Sequence, residues 1–327
     1  MTTNSDALAW TETDSTLVGA TTHDPFPFHK DSTVHKAIIV AVLILPALAA
    51  VYAVASPWMG LGPSRTDIAL LVGMWAFAGL GISVGFHRML THKAVTMRAP
   101  ARFILLVAGS MTLQGSPADW AATHTRHHSR SDRNGDPHSP QDGFWHAHFL
   151  WLLRDRFVRS GLAHDKLMSD PITRFVTRTW WVWAALGLLA PAAIGYAISG
   201  TAVGALNGFV WGGLLRVFIG HHITWTVNSL GHRFGTRPYE SADQSTNNWL
   251  VALLGWGEGW HNNHHAFPRS AYMGLRWWQV DLGSVLIFAL RGLGQVKFAW
   301  RPDRNQRRAK RRRLGFNKPK TLVQAEA

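Results

Sequence analysis

Nine histidines of this chain stand in four short motifs whose spacing suits metal binding. The motifs are HRMLTH (His87 and His92), HTRHH (His124, His127 and His128), NSLGH, which contains Asn228 and His232, and HNNHH (His261, His264 and His265). On an α-helix, positions i, i+3 and i+4 lie on one face, so each HxxHH motif presents two or three imidazoles in one direction. Each such motif therefore supplies part of a metal site.

The HRMLTH motif differs from the others because its two histidines are five positions apart in the sequence. Five residues turn an α-helix by about 140° net, so His87 and His92 would not share a face of an α-helix. We expect this pair where the preceding apolar helix ends, bends or frays.

The number and type of these side chains indicate two metal ions. The chain has no cysteine, so nitrogen and oxygen must supply every ligand. A zinc site takes about three or four protein ligands, and nine histidines are too many for one such ion. Two ions with four or five imidazoles each fit the count, and imidazole suits iron. Activation of dioxygen by iron is the leading chemistry.

The elements that must position these histidines belong to a membrane protein. The 327 residues are 47% hydrophobic and only 16% charged, with 17 tryptophans, which is too apolar for an ordinary soluble domain of this size. Four apolar stretches are long enough to cross a bilayer, at residues 37–55, 68–86, 180–198 and 201–219. Because iron-activated dioxygen can attack unactivated C–H bonds, we expect membrane-soluble molecules with such bonds as substrates.

The distribution of basic residues predicts which side of the membrane carries the histidines. Arg88, Lys93, Arg98 and Arg102 follow the second apolar stretch, whereas the two short hairpin connections contain only Arg65. By the positive-inside rule, both termini and all the histidine motifs face the cytoplasm. The predicted fold class is all-α: an integral membrane protein with four transmembrane helices and a cytoplasmic, histidine-rich helical cap.

The formal net charge of +14 is concentrated at the C-terminus. A nucleic-acid contact would suit such a basic run, but after membrane spans it is more typical of a tail beside anionic headgroups. We therefore expect membrane lipid and no nucleic acid as a partner. The expected organisation is a polar tail at residues 1–33, a membrane domain at 34–300 and a basic tail at 301–327.

The four motifs together, and GEGWHNNHHAFP in particular, resemble the histidine boxes of the integral-membrane fatty acyl desaturases, specifically the stearoyl (delta-9) group. The resemblance extends from about His87 to Pro268. It implies a non-haem di-iron centre that uses O2 and two electrons to remove two hydrogens from a saturated acyl chain, leaving a cis double bond. The bacterial plasma membrane is the expected location.

The resemblance also implies roles for individual residues. Nine histidines become ligands of the two Fe ions, with Asn228 reaching one iron through water: His87, His92, His124, His127, His128, His232, His261, His264 and His265. Trp120 and Trp225 resemble aromatics that line the acyl tunnel. Glu258 and Asp119 lie near the motifs and could orient ligand imidazoles.

The sequence leaves two partners undecided, the carrier of the acyl chain and the electron donor. Animal enzymes of the group that act on CoA thioesters carry an Arg-Asp pair where this chain has Ala122 and Thr123, so acyl-CoA, acyl-carrier protein and lipid-bound chains all remain candidates for the substrate. With no cysteine for an iron–sulfur cluster and no fused cytochrome b5 motif, electrons must come from an external ferredoxin, rubredoxin-like or cytochrome b5-like protein.

Two other functions compete with desaturation. A membrane di-iron alkane or fatty acid hydroxylase would share the histidines and the oxidant, although the spacing of the motifs and the resemblance of HNNHH to the delta-9 desaturases favour a desaturase. A non-enzymatic membrane receptor or transporter that holds zinc is the alternative from a different class, and it would contain zinc and consume no dioxygen.

Overall fold

The structure, a computed structural model, describes residues 24–312. The greater part of the two predicted tails, 1–33 and 301–327, lies outside the described residues. The described chain is mostly α-helical, and its one sheet is a small two-stranded antiparallel pair.

The α-helices are α1 (Thr33–Ala55), α2 (Arg65–Leu80), α3 (Ala99–Ser110), α4 (Pro117–Arg130), α5 (Phe144–His148), α6 (Leu162–Met168), α7 (Pro171–Arg178), α8 (Trp180–Ser199), α9 (Ala202–Gly208), α10 (Arg216–Ser229), α11 (Trp249–Leu254), α12 (His261–Ala266), α13 (Leu282–Gly292) and α14 (Arg304–Ala309). The strands are β1 (Val95–Met97) and β2 (Val296–Ala299). Two π-helical segments, Gly81–Thr91 and Phe209–Leu215, continue α2 and α9.

Four continuous helical stretches are long and apolar enough to cross a membrane: Thr33–Met59, Arg65–Thr91, Trp180–Ser199 and Ala202–His232. The predicted all-α membrane architecture with four spans is confirmed. The second and fourth stretches extend beyond the residue ranges expected from hydropathy, 68–86 and 201–219. A hydropathy window stops at the first polar residues, whereas the helical backbone continues because those residues find partners within the cap.

Local signals in the sequence fix where the spans begin and end. The second span starts at a capping box, in which Ser64 accepts from the Asp67 backbone and Asp67 accepts from the Ser64 backbone. The third span ends at Gly200, whose φ of 68° is the left-handed conformation that glycine adopts freely. The third and fourth spans approach closely, because a Cβ on Gly195 would lie 2.2 Å from the Gly204 carbonyl oxygen.

The π-helical segment Gly81–Thr91 explains the spacing of the first histidine motif. The His92 N–H donates to the His87 carbonyl oxygen at 3.1 Å, an i→i+5 hydrogen bond. This wider turn brings the two histidines to the same side, with ring centroids 4.8 Å apart. The expectation that the pair lies at the end of the second span is confirmed, and the helix reaches it by widening.

The cap packs against one end of the spans around a hydrophobic core, and that this end faces the cytoplasm stays a prediction from the basic residues. Phe86 of the second span, Leu106 of α3 and Ile287 of α13 are fully buried within that core. The β1–β2 pair closes the cap by joining the segment after the second span to the segment after α13. The histidine-bearing helices α4 and α12 are thereby held beside the end of the second span.

Candidate metal centre

The nine predicted ligand histidines converge in two adjacent groups. The first group is His87, His92, His124, His128 and His264, and the second group is His127, His232, His261 and His265. Within each group the potential ligand atoms all lie within 4.8 Å of one another. The rings of His128 and His265, one from each group, stack with centroids 4.4 Å apart, so the two groups are direct neighbours.

Each HxxHH helix divides its imidazoles between the two groups. On α4, His124 and His128 enter the first group and His127 enters the second. On α12, His264 enters the first group and His261 and His265 enter the second. The two helices therefore bridge both groups. The sequence showed that these residues share a helix face, but it did not show how they are divided.

Carboxylates hold the outer nitrogens of four of these histidines. The Nδ1 atoms of His87, His127, His232 and His265 lie 2.5, 3.0, 3.0 and 2.6 Å from oxygens of Glu258, Asp136, Asp132 and Asp243 respectively. A carboxylate at Nδ1 keeps the proton on that atom and leaves the Nε2 lone pair free for a metal. Both groups thus contain imidazoles fixed in the metal-binding tautomer.

The sequence identified only part of this carboxylate set. Glu258 lies near a motif and contacts His87, a predicted ligand, whereas Asp119 contacts His164 at 3.2 Å. Asp132 and Asp243 were missed because they belong to loops whose spacing from the motifs carries no periodic signal. Asp136 follows the second motif and also accepts the backbone N–H groups of Asp132 and His138.

Burial and mutual proximity favour the neutral imidazoles that metals bind. Burial, followed by the charges of neighbouring histidines, lowers the pKa well below the ordinary value for His92, His124, His128, His261 and His264. Burial also lowers the pKa of His265 to about 4 despite the adjacent Asp243 carboxylate. For His127, burial is outweighed by Asp136, which raises the pKa above its ordinary value.

The distances between ring nitrogens fit metal coordination. The Nε2 atoms of His264 and His87 are 3.1 Å apart, those of His264 and His128 are 2.9 Å apart, and those of His232 and His261 are 3.0 Å apart. Two ligands at right angles on metal–nitrogen bonds of about 2.1 Å would be separated by about 3.0 Å. Each group is therefore shaped to hold one metal ion.

Buried nitrogen atoms without partners support the same conclusion. The Nε2 atoms of His92 and His265 are buried and make no hydrogen bond to any described residue. An unpaired buried nitrogen is costly, so such atoms call for an occupant. One lies in each group, which agrees with one ion per group.

Arg88, which the sequence indicated only as one of the basic residues after the second apolar stretch, holds the loop beneath the first group. Arg88 is fully buried and lies 2.9 Å from Asp281 and 3.2 Å from Glu258. Its guanidinium also donates to the Trp256 carbonyl oxygen at 2.9 Å. Breaking a buried pair by removing one partner costs about 3–5 kcal/mol. Arg88 therefore fixes Glu258, and through it the His87 ring.

A largely apolar cavity leads from between the spans to the histidines. It is lined near the metal centre by His87, His124, His261, Asn228 and Trp120. Asn228 thus faces the site, although it is not a member of either histidine group. Trp225 does not line this cavity; it packs against His148, His221 and His222. The structure therefore separates the two tryptophans predicted to contact substrate.

Polar and aromatic residues shape the rest of the cavity wall. The Trp120 indole donates to Gln114 at 3.2 Å, and Gln114 donates to Thr224 at 3.1 Å. Trp75 and Trp256 also line the cavity, with ring centroids 4.2 Å apart. Trp256 has a φ of 60°, a strained conformation for a bulky residue, and its indole fills the space beside Gly79.

Comparisons with known proteins agree with this geometry. A family model described as fatty acid desaturase matches residues 65–290. The chain is 41% identical over 265 residues to the hex-5-enoyl-[acyl-carrier protein] acetylenase of Moorena producens (strain JHB), covering 77% of this chain and 82% of that protein. It is 37% identical over 246 residues to the sn-1 stearoyl-lipid 9-desaturase of Anabaena variabilis, covering 74% and 86%. It is 40% identical over 227 residues to the acyl-CoA C20 Delta5-desaturase of Anemone leveillei, covering 68% and 70%.

Proposed function

This chain belongs to the fatty acid desaturase family, and from that premise we propose that it introduces a cis double bond at the delta-9 position of a saturated acyl chain at a non-haem di-iron centre. The family makes it an oxidoreductase that acts on paired donors with O2 and takes acyl substrates. The relatives do not favour the hydroxylase alternative.

The observation that carries the proposal is that an apolar cavity reaches both histidine groups. His87 and His124 of the first group and His261 of the second group line its inner end. An acyl chain in this cavity would lie beside both metal sites. When bound, the two iron ions would supply the reduction of O2 that cleavage of an unactivated C–H bond requires.

In this proposal the residues of the chain divide the remaining tasks. The two histidine groups hold one iron each, and the four carboxylates fix the tautomer and orientation of their partner imidazoles. Asn228 lines the cavity and would reach one iron through water. Trp120 forms the wall against the acyl chain, and the apolar lining excludes bulk water. Trp225 stays a proposed substrate contact, although it packs against His148, His221 and His222 and does not line this cavity.

The delta-9 position rests on the resemblance of the histidine motifs and on two relatives named as 9-desaturases, from Anabaena variabilis and Arabidopsis thaliana. Relatives that act on acyl-carrier protein, lipid and CoA substrates are all similar to this chain, so the proposal leaves the acyl carrier open. We place the protein in a bacterial plasma membrane with the termini and metal centre on the cytoplasmic side, because the basic residues follow the even-numbered spans. An external protein supplies the electrons.

Expression in a desaturase-deficient host, followed by mass spectrometry of the lipids, tests the proposal. We expect fatty acids that have lost two mass units, with the double bond at carbon 9 after derivatisation. A gain of sixteen mass units would identify a hydroxylase and contradict the proposal. A double bond at another position would contradict the delta-9 assignment alone.

A further inference from the structure

Arg126 is a buried cation on the histidine-bearing helix α4. It stands between His124 and the pair His127 and His128 in the sequence, and it is only 6% exposed. Its Nε–H donates to the Gly135 carbonyl oxygen at 2.7 Å. A buried charge is costly unless it is paired and hydrogen-bonded, so the other partners of Arg126 decide whether α4 can pack in this position.

Three further partners of Arg126 come from the segment ahead of the first span, residues 24–31, to which we refer as the N-terminal strap. Nη1 of Arg126 lies 2.7 Å from the Asp24 carboxylate and also donates to the Phe26 carbonyl oxygen. The guanidinium carbon stands 3.8 Å from the centroid of the Phe28 ring. The strap lies outside residues 65–290, the part of the chain that matches the family model.

A second segment holds the strap against α4. Phe28 and Val158 form an antiparallel bridge, and the His29 N–H donates to the Phe157 carbonyl oxygen at 2.8 Å. The Val158 N–H in turn donates to Oγ1 of Thr123 on α4 at 3.0 Å. The strap is therefore tied to α4 twice, directly through the arginine and indirectly through the backbone at residues 157–158.

The same strap leads into the first span. Asp31, which is buried, lies 2.9 Å from Nη1 of Arg159, and its N–H donates to the Asp155 carboxylate at 2.9 Å. The helix α1 begins two residues later, at Thr33. The strap thus connects α4 to an element whose position the membrane fixes.

These contacts bear on the metal centre through α4 and the turn that follows it. Gly135, which accepts from Arg126, directly precedes Asp136. The Asp136 carboxylate lies 3.0 Å from Nδ1 of His127. Because α4 supplies predicted ligands to both histidine groups, a displacement of this helix would alter both groups at once.

Shielding of apolar surface does not by itself explain the strap. A segment that only covered the cap would need apolar side chains, whereas this one presents a carboxylate, a carbonyl oxygen and an aromatic face to a single buried guanidinium. A desolvated cation over a ring and a charge-assisted hydrogen bond are directional interactions. Their common target is the side chain that also holds the turn before Asp136.

We propose that Asp24 and Phe28 are positioning residues of the metal centre, which act through Arg126 to hold α4 and the turn at Gly135. A metal site requires its ligands to be held within about 0.5 Å of their productive positions by the residues around them. The strap supplies part of that support from outside the predicted membrane domain. This inference rests on the proposed function only in taking iron as the metal that the two histidine groups bind.

The test compares iron retention in the full chain, reconstituted with iron in nanodiscs, after three matched double substitutions. The strap variant is Asp24→Asn with Phe28→Leu, which removes the negative charge and the aromatic face. The conservative variant is Asp24→Glu with Phe28→Tyr, which keeps both. The control is Asp165→Asn with Phe175→Leu, which makes the same changes at exposed residues of α6 and α7.

In a graded chelator series, the strap variant should lose iron at about tenfold lower chelator concentration than the wild type. Loss of a residue that orients a ligand histidine weakens metal binding by about 10–100-fold, and the strap acts one contact further out, so we expect the lower end. The conservative variant and the control should stay within about twofold of the wild type. At saturating iron, the Mössbauer signals of both sites should change in the strap variant, because α4 serves both groups.

Retention of both ions by the strap variant up to the chelator concentration at which the wild type loses them would overturn the proposal. Equal loss from the conservative variant or the control would overturn it as well, because the charge and the aromatic face would then not matter. If the strap variant does not fold without metal, Asp24→Asn and Phe28→Leu are measured singly, and each should shift the chelator concentration by about threefold. No shift in either single variant would overturn the proposal.

The chelator series separates this proposal from the proposed function, because it needs neither an acyl substrate nor O2. Unchanged iron retention in the strap variant, together with normal formation of the unsaturated product, would remove the role of the strap and leave the desaturase intact. Absence of product from the wild type would contradict the proposed function, whatever the strap variant retains.

Discussion

Replacement of Asp243 by asparagine should weaken iron binding at the second histidine group. One Asp243 oxygen accepts from the Ser245 N–H at 2.9 Å and from the Ser241 hydroxyl at 3.0 Å, while the other lies 2.6 Å from Nδ1 of His265. In Asp243→Asn the amide oxygen must stay with the two serine donors, so the NH2 group faces Nδ1. The imidazole then carries its proton on Nε2, which is the atom a metal would bind.

The size of this effect follows from comparable metal sites. Loss of a carboxylate behind a ligand histidine typically weakens metal binding by about 10–100-fold, which corresponds to about 1.4–2.8 kcal/mol. Because His265 belongs to the second group alone, the first group should keep its iron. We therefore expect the iron content to fall from about two ions per chain towards one as chelator strength increases.

The assay is iron analysis of the purified protein after dialysis against a graded series of chelators. Asp142→Asn is the matched control, because Asp142 lies 3.6 Å from His146, a histidine outside both groups. The control should lose iron at the wild-type chelator concentration. If Asp243→Asn kept both ions up to the chelator concentration at which the wild type and the control lose them, the assignment of His265 as a ligand fixed by Asp243 would be wrong.

Three further predictions follow from the same geometry. His128→Ala and His261→Ala should each abolish desaturation while the protein remains folded and inserted in the membrane, since each removes one ligand from one group. Analysis of the lipids measures the unsaturated product, and a variant that forms it at the wild-type rate would show that the replaced histidine is not a ligand. Trp256→Gly should shift the products towards longer acyl chains, because it removes an indole that packs against Trp75 in the cavity wall and relieves the strained φ of 60°. An unchanged chain-length profile at normal yield would contradict this, with Trp249→Ala at an exposed tryptophan as the control. The iron-free protein should lose thermal stability as the pH falls below about 6.5. Histidines of the unfolded chain bind protons there, whereas burial lowers the pKa of His128 and His264 in the folded chain. A melting temperature that rises on acidification would contradict this direction of the pH dependence.

The membrane architecture and the histidine set could be read from the sequence because both depend on local patterns. Apolar stretches of sufficient length predict spans, and HxxHH predicts imidazoles on one helix face. The geometry of the first motif was harder to predict from its spacing, since His87 and His92 lie on the same side of the helix only through the i→i+5 turn of a π-helix. The sequence indicated an irregularity there, but the widening of the helix depends on packing against α3 and α4.

The long-range features of the site could not be predicted. Asp132 and Asp243 reach their histidines across 100 and 22 residues, and no periodicity links residues so far apart. The packing of Trp225 against His148, His221 and His222 depends on how the fourth span is rotated, and contacts with neighbouring helices determine that rotation. The division of nine imidazoles into groups of five and four likewise follows from the relative placement of α4 and α12.

Metal analysis combined with Mössbauer spectroscopy of protein reconstituted with isotopically enriched iron tests the central claim most directly. Two iron ions per chain in nitrogen-rich coordination, with signals from two neighbouring sites, are the expected result. Loss of one signal in His261→Ala and of the other in His92→Ala should follow, because these residues belong to different groups. A single iron per chain, or zinc in preference to iron under the same conditions, would contradict the two-site centre.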